Sequence, residues 1–404
     1  MIKIDDKRNC CGCSACYNAC PQNCIIMLPD KEGFLYPLID LNLCTDCKIC
    51  EKVCPELDRY SENIIKQKAF LVQHKDEKIR LQSTSGGAFS AIAEYVISKN
   101  GVVFGVAFND TLEAIHTYVE NIDDLHVFRN SKYVQSKVGK TFSQVKHFLN
   151  LGRLVCFSGT PCQIEGLLKY LNRDYESLIT VDFVCRAVPS PLILEKYIQM
   201  QKNRFGNEFS NIMFRDKHYG YKYSTLSIFS TKKFKIYHEG VESDPYLRSF
   251  FSNISVRPAC YKCSFKKRYR KSDFTLWDCF TVDRFNKQMD DDKGTTRILT
   301  HSNKANIILL ELANNIHFIE IDVEKVIKGV REMFESIPIN PQRDQFFVDL
   351  IKMEPKLLFD KYFPRTFGRR LERILRIFSV NMGVYRYMKK FAKIFYKNKA
   401  NKKR

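Results

Sequence analysis

The chain has 404 residues, 45% of them hydrophobic, with sixteen cysteines and a formal net charge of +20 at pH 7. This length and composition support a sizeable core and two or three domains. No run of eighteen apolar residues occurs, which argues against a membrane span, and the first residues lack the apolar run of a secretion signal. We therefore expect a cytoplasmic protein whose cysteines serve as metal ligands rather than disulfides.

Two cysteine runs of identical spacing, C-x2-C-x2-C-x3-C-P, stand within the first 55 residues. Three cysteines two residues apart can wrap one corner of an iron–sulfur cube, and the fourth follows a helical step and points to the other cluster. The spacing therefore predicts two 4Fe–4S clusters, the first held by Cys10, Cys13, Cys16 and Cys54, the second by Cys44, Cys47, Cys50 and Cys20. A pair of zinc ribbons is the alternative, but it gives no reason for the third cysteine or for Cys-Pro. We interpret Cys11 and Cys24, outside the pattern, as small thiols beside the clusters.

A polar linker over residues 56–68 leads to two strand–turn–helix–strand units, which predict an α/β layer. In the first unit, strands over 69–74 and 102–108 flank a Ser/Gly turn and a helix that ends near Ser98. In the second, strands over 154–157 and 178–185 flank a turn and a helix that ends at Leu171. Cys162 and Cys185 thus follow strand ends, where open α/β sheets place ligands. The helix N-terminus after Gly159 and Thr160 can direct amides toward an anionic group.

A further C-x2-C pair stands at Cys260 and Cys263. Together with Cys162 and Cys185, these residues make four candidate ligands from distant parts of the chain, and our hypothesis is a third 4Fe–4S cluster. The alternative is that Cys162 and Cys185 are ordinary turn residues, while the pair forms a redox couple or half a zinc site.

Seven stretches occur in an order that resembles the family of coenzyme F420 hydrogenase/dehydrogenase beta subunits over about residues 1–310. They are SGGAFSAI, KYVQS, FSGTPCQIEGL, VDFVCRAVPSP, FRDK, DPYLRSF and RPACYKCSF. The resemblance implies an iron–sulfur flavoprotein with FAD in the α/β domain and a cluster beside it, held by Cys162, Cys185, Cys260 and Cys263. It suggests flavin contacts at Ser85, Gly86, Gly87, Lys132, Tyr133, Gln135 and Ser136, although a Gly-rich turn is more often only a turn. The chain departs from the family where Trp277, Phe280 and Thr281 replace Gly, Trp and Gly, which argues against coenzyme F420 as substrate.

The positive charge is concentrated at the C-terminus, where residues 365–404 hold 14 Lys and Arg against the single acid Glu372. Two apolar stripes at helical spacing run through this segment: Phe367, Leu371, Ile374, Leu375 and Phe378, then Val384, Met388, Phe391 and Phe395. Such a basic amphipathic pattern indicates binding to an anionic membrane surface or an acidic partner. The alternative is a helix that packs on its own domain and solvates its charged face. We find no nucleic-acid reader motif.

The predicted fold class is therefore mixed α+β and α/β. A ferredoxin-like two-cluster domain (1–60) precedes a flavin-type α/β domain in two parts (61–150 and 151–330) and a basic helical tail (331–404). This organisation predicts an oxidoreductase that passes electrons between a ferredoxin-like protein and a small organic substrate, and the tail favours a peripheral position at the inner face of a membrane. An electron-transfer subunit of a larger hydrogenase or dehydrogenase, without a substrate of its own, is the first alternative. A structural metal-binding protein without flavin is the second. His74, His218 and His238 are not assigned as catalytic groups.

Overall fold

The computed structural model describes residues 1–385, 387 and 388. Its strands are β1 (Ile25–Pro29), β2 (Leu35–Ile39), β3 (Lys68–His74), β4 (Val102–Phe108), β5 (Ala114–Val119), β6 (Val155–Ser158), β7 (Leu178–Phe183), β8 (Phe209–Asp216), β9 (Thr225–Ser230), β10 (Lys235–Glu239), β11 (Phe274–Asp278), β12 (Thr296–Thr300) and β13 (Ile316–Ile321).

The α-helices are α1 (Ala15–Ala19), α2 (Ile49–Lys52), α3 (Glu77–Gln82), α4 (Ala88–Ser98), α5 (Thr141–Asn150), α6 (Pro161–Leu171), α7 (Pro191–Phe205), α8 (Pro245–Phe251), α9 (Asn303–Glu311), α10 (Val323–Ile327), α11 (Arg331–Phe334), α12 (Arg343–Lys352), α13 (Pro355–Tyr362) and α14 (Phe367–Asn381). In the described residues, no helix is long and apolar enough to cross a bilayer.

The main sheet has eight strands in the order β13-β3-β12-β11-β7-β6-β4-β5. Its centre, β4-β6-β7-β11, is parallel. Alternate residues of β4 enter opposite layers: Val103 packs with α4 and α9 in one core, while Val102 and Phe104 pack with α5 and α6 in the other. Because both faces are covered, these strands are near-continuous apolar runs, which is why the sequence predicted them.

The predicted strand over 178–185 is two residues too long. β7 ends at Phe183, which is its last position paired with β11. Cys185 therefore lies in the loop beyond the sheet, at the carboxyl edge.

A second core, which the sequence analysis did not predict, surrounds the antiparallel sheet β10-β9-β8. Helices α7, α8, α12 and α13 cover it, with Phe346, Leu350 and Leu358 fully buried. The prediction of a tail over residues 331–404 is therefore wrong for α12 and α13, which belong to this core.

Helix α14 contains the first predicted apolar stripe. Of the second stripe, Val384 and Met388 are described, whereas Phe391 and Phe395 lie outside the described residues.

The N-terminal head repeats one local geometry. Each cysteine run turns into a short helix through a residue in the left-handed region, Ser14 (φ 63°) before α1 and Lys48 (φ 61°) before α2. The hairpin β1–β2 connects the two runs. The repeated spacing in the sequence thus gives two similar turns that face each other, since α1 and α2 are in contact.

Candidate functional site

The first cysteine set combines residues of both runs. Cys10 and Cys54 lie close enough to Cys16 to interact with it electrostatically. Burial raises the pKa of Cys16, and these two thiols raise it further. Cys13 in turn has Cys16 and Cys54 as neighbours. The structure thus brings Cys54, the last cysteine of the second run, to the triplet of the first run.

The second set is reciprocal. Cys20, Cys44, Cys47 and Cys50 line one small cavity beneath the N-terminus. The amide of Ile2 donates a hydrogen bond to Cys50 Sγ at 3.3 Å. Cys24 lines the same cavity, with its Sγ 3.3 Å from that of Cys20, as expected for a small thiol beside a cluster.

These two sets fit 4Fe–4S clusters by their donor chemistry. Each has four thiols, and several of them pack with apolar side chains such as Ile2 and Ile25. Backbone amides donate to several of these sulfurs, among them Cys20 and Cys54, and such hydrogen bonds are one of the factors that set a cluster's reduction potential. Cys10, Cys13, Cys16 and Cys54 would hold one cluster, and Cys20, Cys44, Cys47 and Cys50 the other.

The third set is assembled from distant segments. Cys162 is the second residue of α6 and Cys185 follows β7. Cys260 lies within a short 3-10 helix (Pro258–Lys262) after α8, and Cys263 directly follows it. Cys260 interacts electrostatically with the other three thiols, those of Cys162, Cys185 and Cys263. Burial raises the pKa of Cys185 to about 12 and that of Cys263 to about 11. The four thiols are therefore close enough to raise one another's pKa, as expected for one shared ligand set.

The first and third sets are neighbours. Cys11 makes side-chain contacts with Cys13 on one side and Cys162 on the other. A Cβ at Gly166, on α6, would lie 2.9 Å from the Cβ and Sγ of Cys13, so only glycine permits this close approach. The head is therefore packed directly on the helix that carries Cys162.

Arg257 also connects the head to the rest of the chain through hydrogen bonds. Arg257 stands three residues before Cys260. Its buried guanidinium donates hydrogen bonds to Cys10 O (2.8 Å), Leu35 O (3.0 Å) and Gln135 Oε1 (2.8 Å). Gln135 Nε2 donates to Cys11 O at 3.3 Å. Gln135 does not line the cavity described below, and both ends of its side chain contact the head, so the structure does not support the predicted flavin contact there.

A cavity of about 820 Å³ opens at the carboxyl edge of the main sheet. Its volume is within the range of small-molecule and cofactor sites. The ends of β6, β7 and β11 and the N-termini of α4 and α6 form its wall. The predicted residues that line it are Ser85, Gly87, Lys132, Tyr133, Ser136, Gly159 and Thr160. Cys185 lines it as well, so the third cysteine set adjoins the cavity.

Gly86 does not line this cavity. Its amide donates to Thr296 Oγ1 at 2.8 Å, and a Cβ there would lie 2.3 Å from Val72 O. Gly86 thus lets the turn pack on the sheet backbone, and its amide is already bonded within the fold, so the structure does not support its predicted flavin contact.

The cavity wall is basic, which the sequence analysis missed. It carries seven basic side chains and the acids Asp182, Asp278 and Glu332; the basic residues are Arg129, Lys132, Arg186, Arg215, Lys222, Arg297 and Arg376. Four of the basic side chains are paired with acids: Arg186 with Glu332, Arg215 with Asp278, Lys222 with Asp290 and Arg376 with Glu372. Burial lowers the pKa of Lys132 to about 7. The basic residues come from separate segments without a local pattern, although Arg215 stands in the FRDK stretch. Arg215 Nη1 contacts Asp278 Oδ2 and Tyr133 Oη, each at 3.0 Å.

Several N–H groups of the wall residues have no hydrogen-bond acceptor among the described residues. Three of these unpartnered N–H groups are buried: those of Arg129 Nε, Arg186 Nε and Trp277 Nε1. Buried donors without a partner are costly, and a bound polar ligand is one way to satisfy them. The helix N-termini and the basic side chains of the wall fit the diphosphate of a flavin dinucleotide.

His116 lies behind the cavity wall and makes stability depend on pH. It stacks on Phe157 at 5.3 Å, and its Nδ1 is 3.0 Å from Ser136 Oγ. Burial lowers its pKa from 6.5 to about 4, so below pH 6.5 the unfolded chain takes up a proton that the folded chain refuses. We expect the free energy of unfolding to fall by about 2 kcal/mol from this residue between about pH 7 and about pH 5.

Denaturant unfolding of His116→Gln at the two pH values tests this expectation, since its pH dependence should be shallower than that of the natural chain. Some dependence should remain, because burial also lowers the pKa of His301, to about 3. His147→Gln, on the exposed side of α5, is the matched control and should keep the natural profile. Equal pH profiles for His116→Gln and the natural chain would contradict the assignment.

Comparisons with known proteins show similarity in two parts of the chain. Residues 152–325 match the family of the C terminus of the coenzyme F420 hydrogenase/dehydrogenase beta subunit, and residues 9–56 match the 4Fe–4S dicluster domain. An uncharacterized ferredoxin of Methanocaldococcus jannaschii is 38% identical over 52 residues, which are 13% of this chain and 66% of that protein. The F subunit of the F(420)H(2) dehydrogenase of Methanosarcina mazei is 25% identical over 185 residues, which are 43% of this chain and 51% of that protein.

The chain thus spans about two thirds of the first relative and about half of the second. Among solved structures, a chain of the F420-reducing NiFe hydrogenase complex from Methanosarcina barkeri has a TM-score of 0.45 at 15% identity, over 75% of this chain and 92% of that chain. The family matches confirm the resemblance read from the ordered motifs. Residues 152–325 are thus similar to the C terminus of the coenzyme F420 hydrogenase/dehydrogenase beta subunit, and they follow an N-terminal 4Fe–4S dicluster domain.

Proposed function

We propose that this protein is an iron–sulfur flavoprotein oxidoreductase that moves electrons between the ferredoxin-like head and a substrate in the basic cavity. The order of the cysteine sets supports the proposal most strongly. Cys11 connects the first set to Cys162 of the third, and Cys185 of the third set lines the cavity. The three sets and the cavity are therefore consecutive neighbours.

Each cofactor has residues that would hold it. The two head sets and the third set would each hold a 4Fe–4S cluster, which carries single electrons. FAD would lie in the cavity, with its diphosphate at the N-termini of α4 and α6, and would supply conversion between single electrons and electron pairs. Gly87 caps α4 with φ 85° and without a side-chain hydrogen bond, which leaves the first amides of the helix open to a ligand.

Trp277 and Phe280 both line the cavity. Phe280 stacks on Tyr221 with ring centres 4.8 Å apart. Because the ring of Trp277 stands where the family usually has Gly, we propose an organic substrate other than coenzyme F420.

A second function is an electron-transfer subunit that has no substrate of its own. The Methanosarcina mazei relative is named as one part of a dehydrogenase, which favours this function. In that case the acceptor would be another protein chain, and the natural protein would purify with it as a stable complex. Size measurement of the protein from its source, compared with the isolated chain, distinguishes the two functions.

Anaerobic purification with a visible spectrum and an iron assay tests the cofactor assignment. We expect flavin bands over a broad iron–sulfur absorbance and about twelve iron atoms per chain, four for each set. Cys263→Ser should lower iron to about eight while the ferredoxin-type signals remain. Clusters without flavin would contradict the flavoprotein proposal, and about eight iron atoms in the natural chain would contradict the third cluster.

A further inference from the structure

Helix α14 exposes its apolar face. Its apolar residues recur every three or four positions, and the following turn continues the stripe. Six of them are exposed: Phe367 (80%), Leu371 (45%), Ile374 (60%), Leu375 (51%), Phe378 (61%) and Met382 (61%). An amphipathic helix of a globular protein normally turns such a stripe toward the core. Here the stripe faces outward.

The polar face of α14 instead forms ion pairs with the antiparallel-sheet region of the protein. Arg373 Nε forms an ion pair with Glu239 at 2.7 Å, and Arg376 Nε lies 3.7 Å from Glu242. Ser379, on the same side, is buried. These contacts fix the rotation of the helix about its axis, so the outward direction of the stripe is built into the fold.

Positive charge accompanies this stripe. Arg369 and Arg370 are exposed in the first turn of α14, and Arg369 is paired with Glu372 at 3.1 Å. In the sequence, residues 386–404 add nine Lys and Arg without an acid. A second copy of the chain would bring like charges together at this face, which opposes self-association. An anionic bilayer complements both features, because its headgroups attract the cations and its acyl boundary accepts the apolar side chains.

We propose that α14 docks the protein on an anionic membrane surface, with the stripe Phe367–Met382 inserted at the headgroup boundary. The inference does not depend on the redox function. It does affect the orientation of the molecule, since Arg376 and Tyr385, on the inner side of the helix region, line the cavity. Docking would therefore place that end of the cavity near the lipid surface.

Co-sedimentation of the full chain with vesicles tests this proposal. We expect binding to vesicles of phosphatidylglycerol and phosphatidylcholine that weakens as salt is added, and little binding to phosphatidylcholine alone. The double variant Ile374→Ser/Phe378→Ser should lower binding at least about tenfold, because two apolar side chains lose their burial in lipid. The matched control is Phe234→Ser, an equally exposed aromatic (70%) between β9 and β10, which should bind as the natural chain does.

A second variant tests the proposal without removing apolar side chains, so a loss of folding stability cannot explain its result. Phe378→Trp retains the apolar face and adds a second tryptophan to the chain. The fluorescence that this tryptophan adds to that of the natural chain should shift to the blue with anionic vesicles only. Unchanged binding by the double variant would overturn the proposal, because the lysine-rich end would then suffice. Absence of binding to anionic vesicles, equal binding to neutral vesicles, or a dimer in light scattering that Ile374→Ser/Phe378→Ser dissociates would also overturn it.

Discussion

Replacing Cys54 by serine is expected to remove the cluster of the first cysteine run, although Cys54 belongs to the second. The purified variant should lose about four iron atoms per chain together with one set of ferredoxin-type signals. The physical reason is the position of Cys54 beside Cys10 and Cys16. Cys20→Ser should have the reciprocal effect on the set of Cys44, Cys47 and Cys50. Iron analysis and electron paramagnetic resonance of the reduced proteins measure both effects.

Pairs of substitutions establish which cysteines share a cluster. Cys54→Ser combined with Cys13→Ser should lose no more iron than either change alone, because both remove ligands of one cluster. Cys54→Ser combined with Cys47→Ser should lose about eight iron atoms. Cys24→Ser, beside Cys20 but outside the pattern, is the matched control and should keep its iron. The opposite result, with Cys54 grouped with Cys47, would show that each run holds its own cluster.

Replacing Arg343 by methionine is expected to destabilise the protein by about 3–5 kcal/mol, the typical cost of leaving one partner of a buried ion pair alone. Arg343 Nη1 and Nη2 bind the two carboxylate oxygens of Glu32 at 2.9 and 2.6 Å. Both side chains are about nine-tenths buried, and Arg343 Nη2 also donates to Val256 O. The pair joins the head to α12, so its loss should loosen the head from the body. Anaerobic denaturant unfolding, with the midpoint compared at equal slope, measures the change.

The matched control is Arg331→Met, which breaks an ion pair of similar geometry at the surface. Arg331 Nη2 lies 2.8 Å from Glu335, with the side chains 78% and 56% exposed, so the change should be below about 0.5 kcal/mol. Adding Glu32→Leu to Arg343→Met should restore part of the lost stability, because no buried charge then remains unpaired. Equal effects of the two single arginine substitutions would contradict the assigned role of burial.

Sequence spacing alone determined the cysteine triplets and the central strands. A cluster-binding turn is local, with its ligands within seven residues, so the pattern of Cys10, Cys13 and Cys16 is sufficient to predict it. The strand over 102–108 was predicted with its observed ends because a strand covered on both faces must be apolar at every position. The ordered motifs also indicated the family.

Tertiary structure alone decided how these parts meet. Glu32 and Arg343 are 311 residues apart, and the cations of the cavity come from segments that show no common pattern. Gln135 stands in a family motif, yet its side chain binds the head because Arg257 and Cys11 lie next to it. The stripe of α14 could be predicted from its period, but a period does not say which side of a helix faces solvent. That direction follows from Glu239 and Glu242, which hold the polar face, and contacts so distant in sequence form only when the chain has folded.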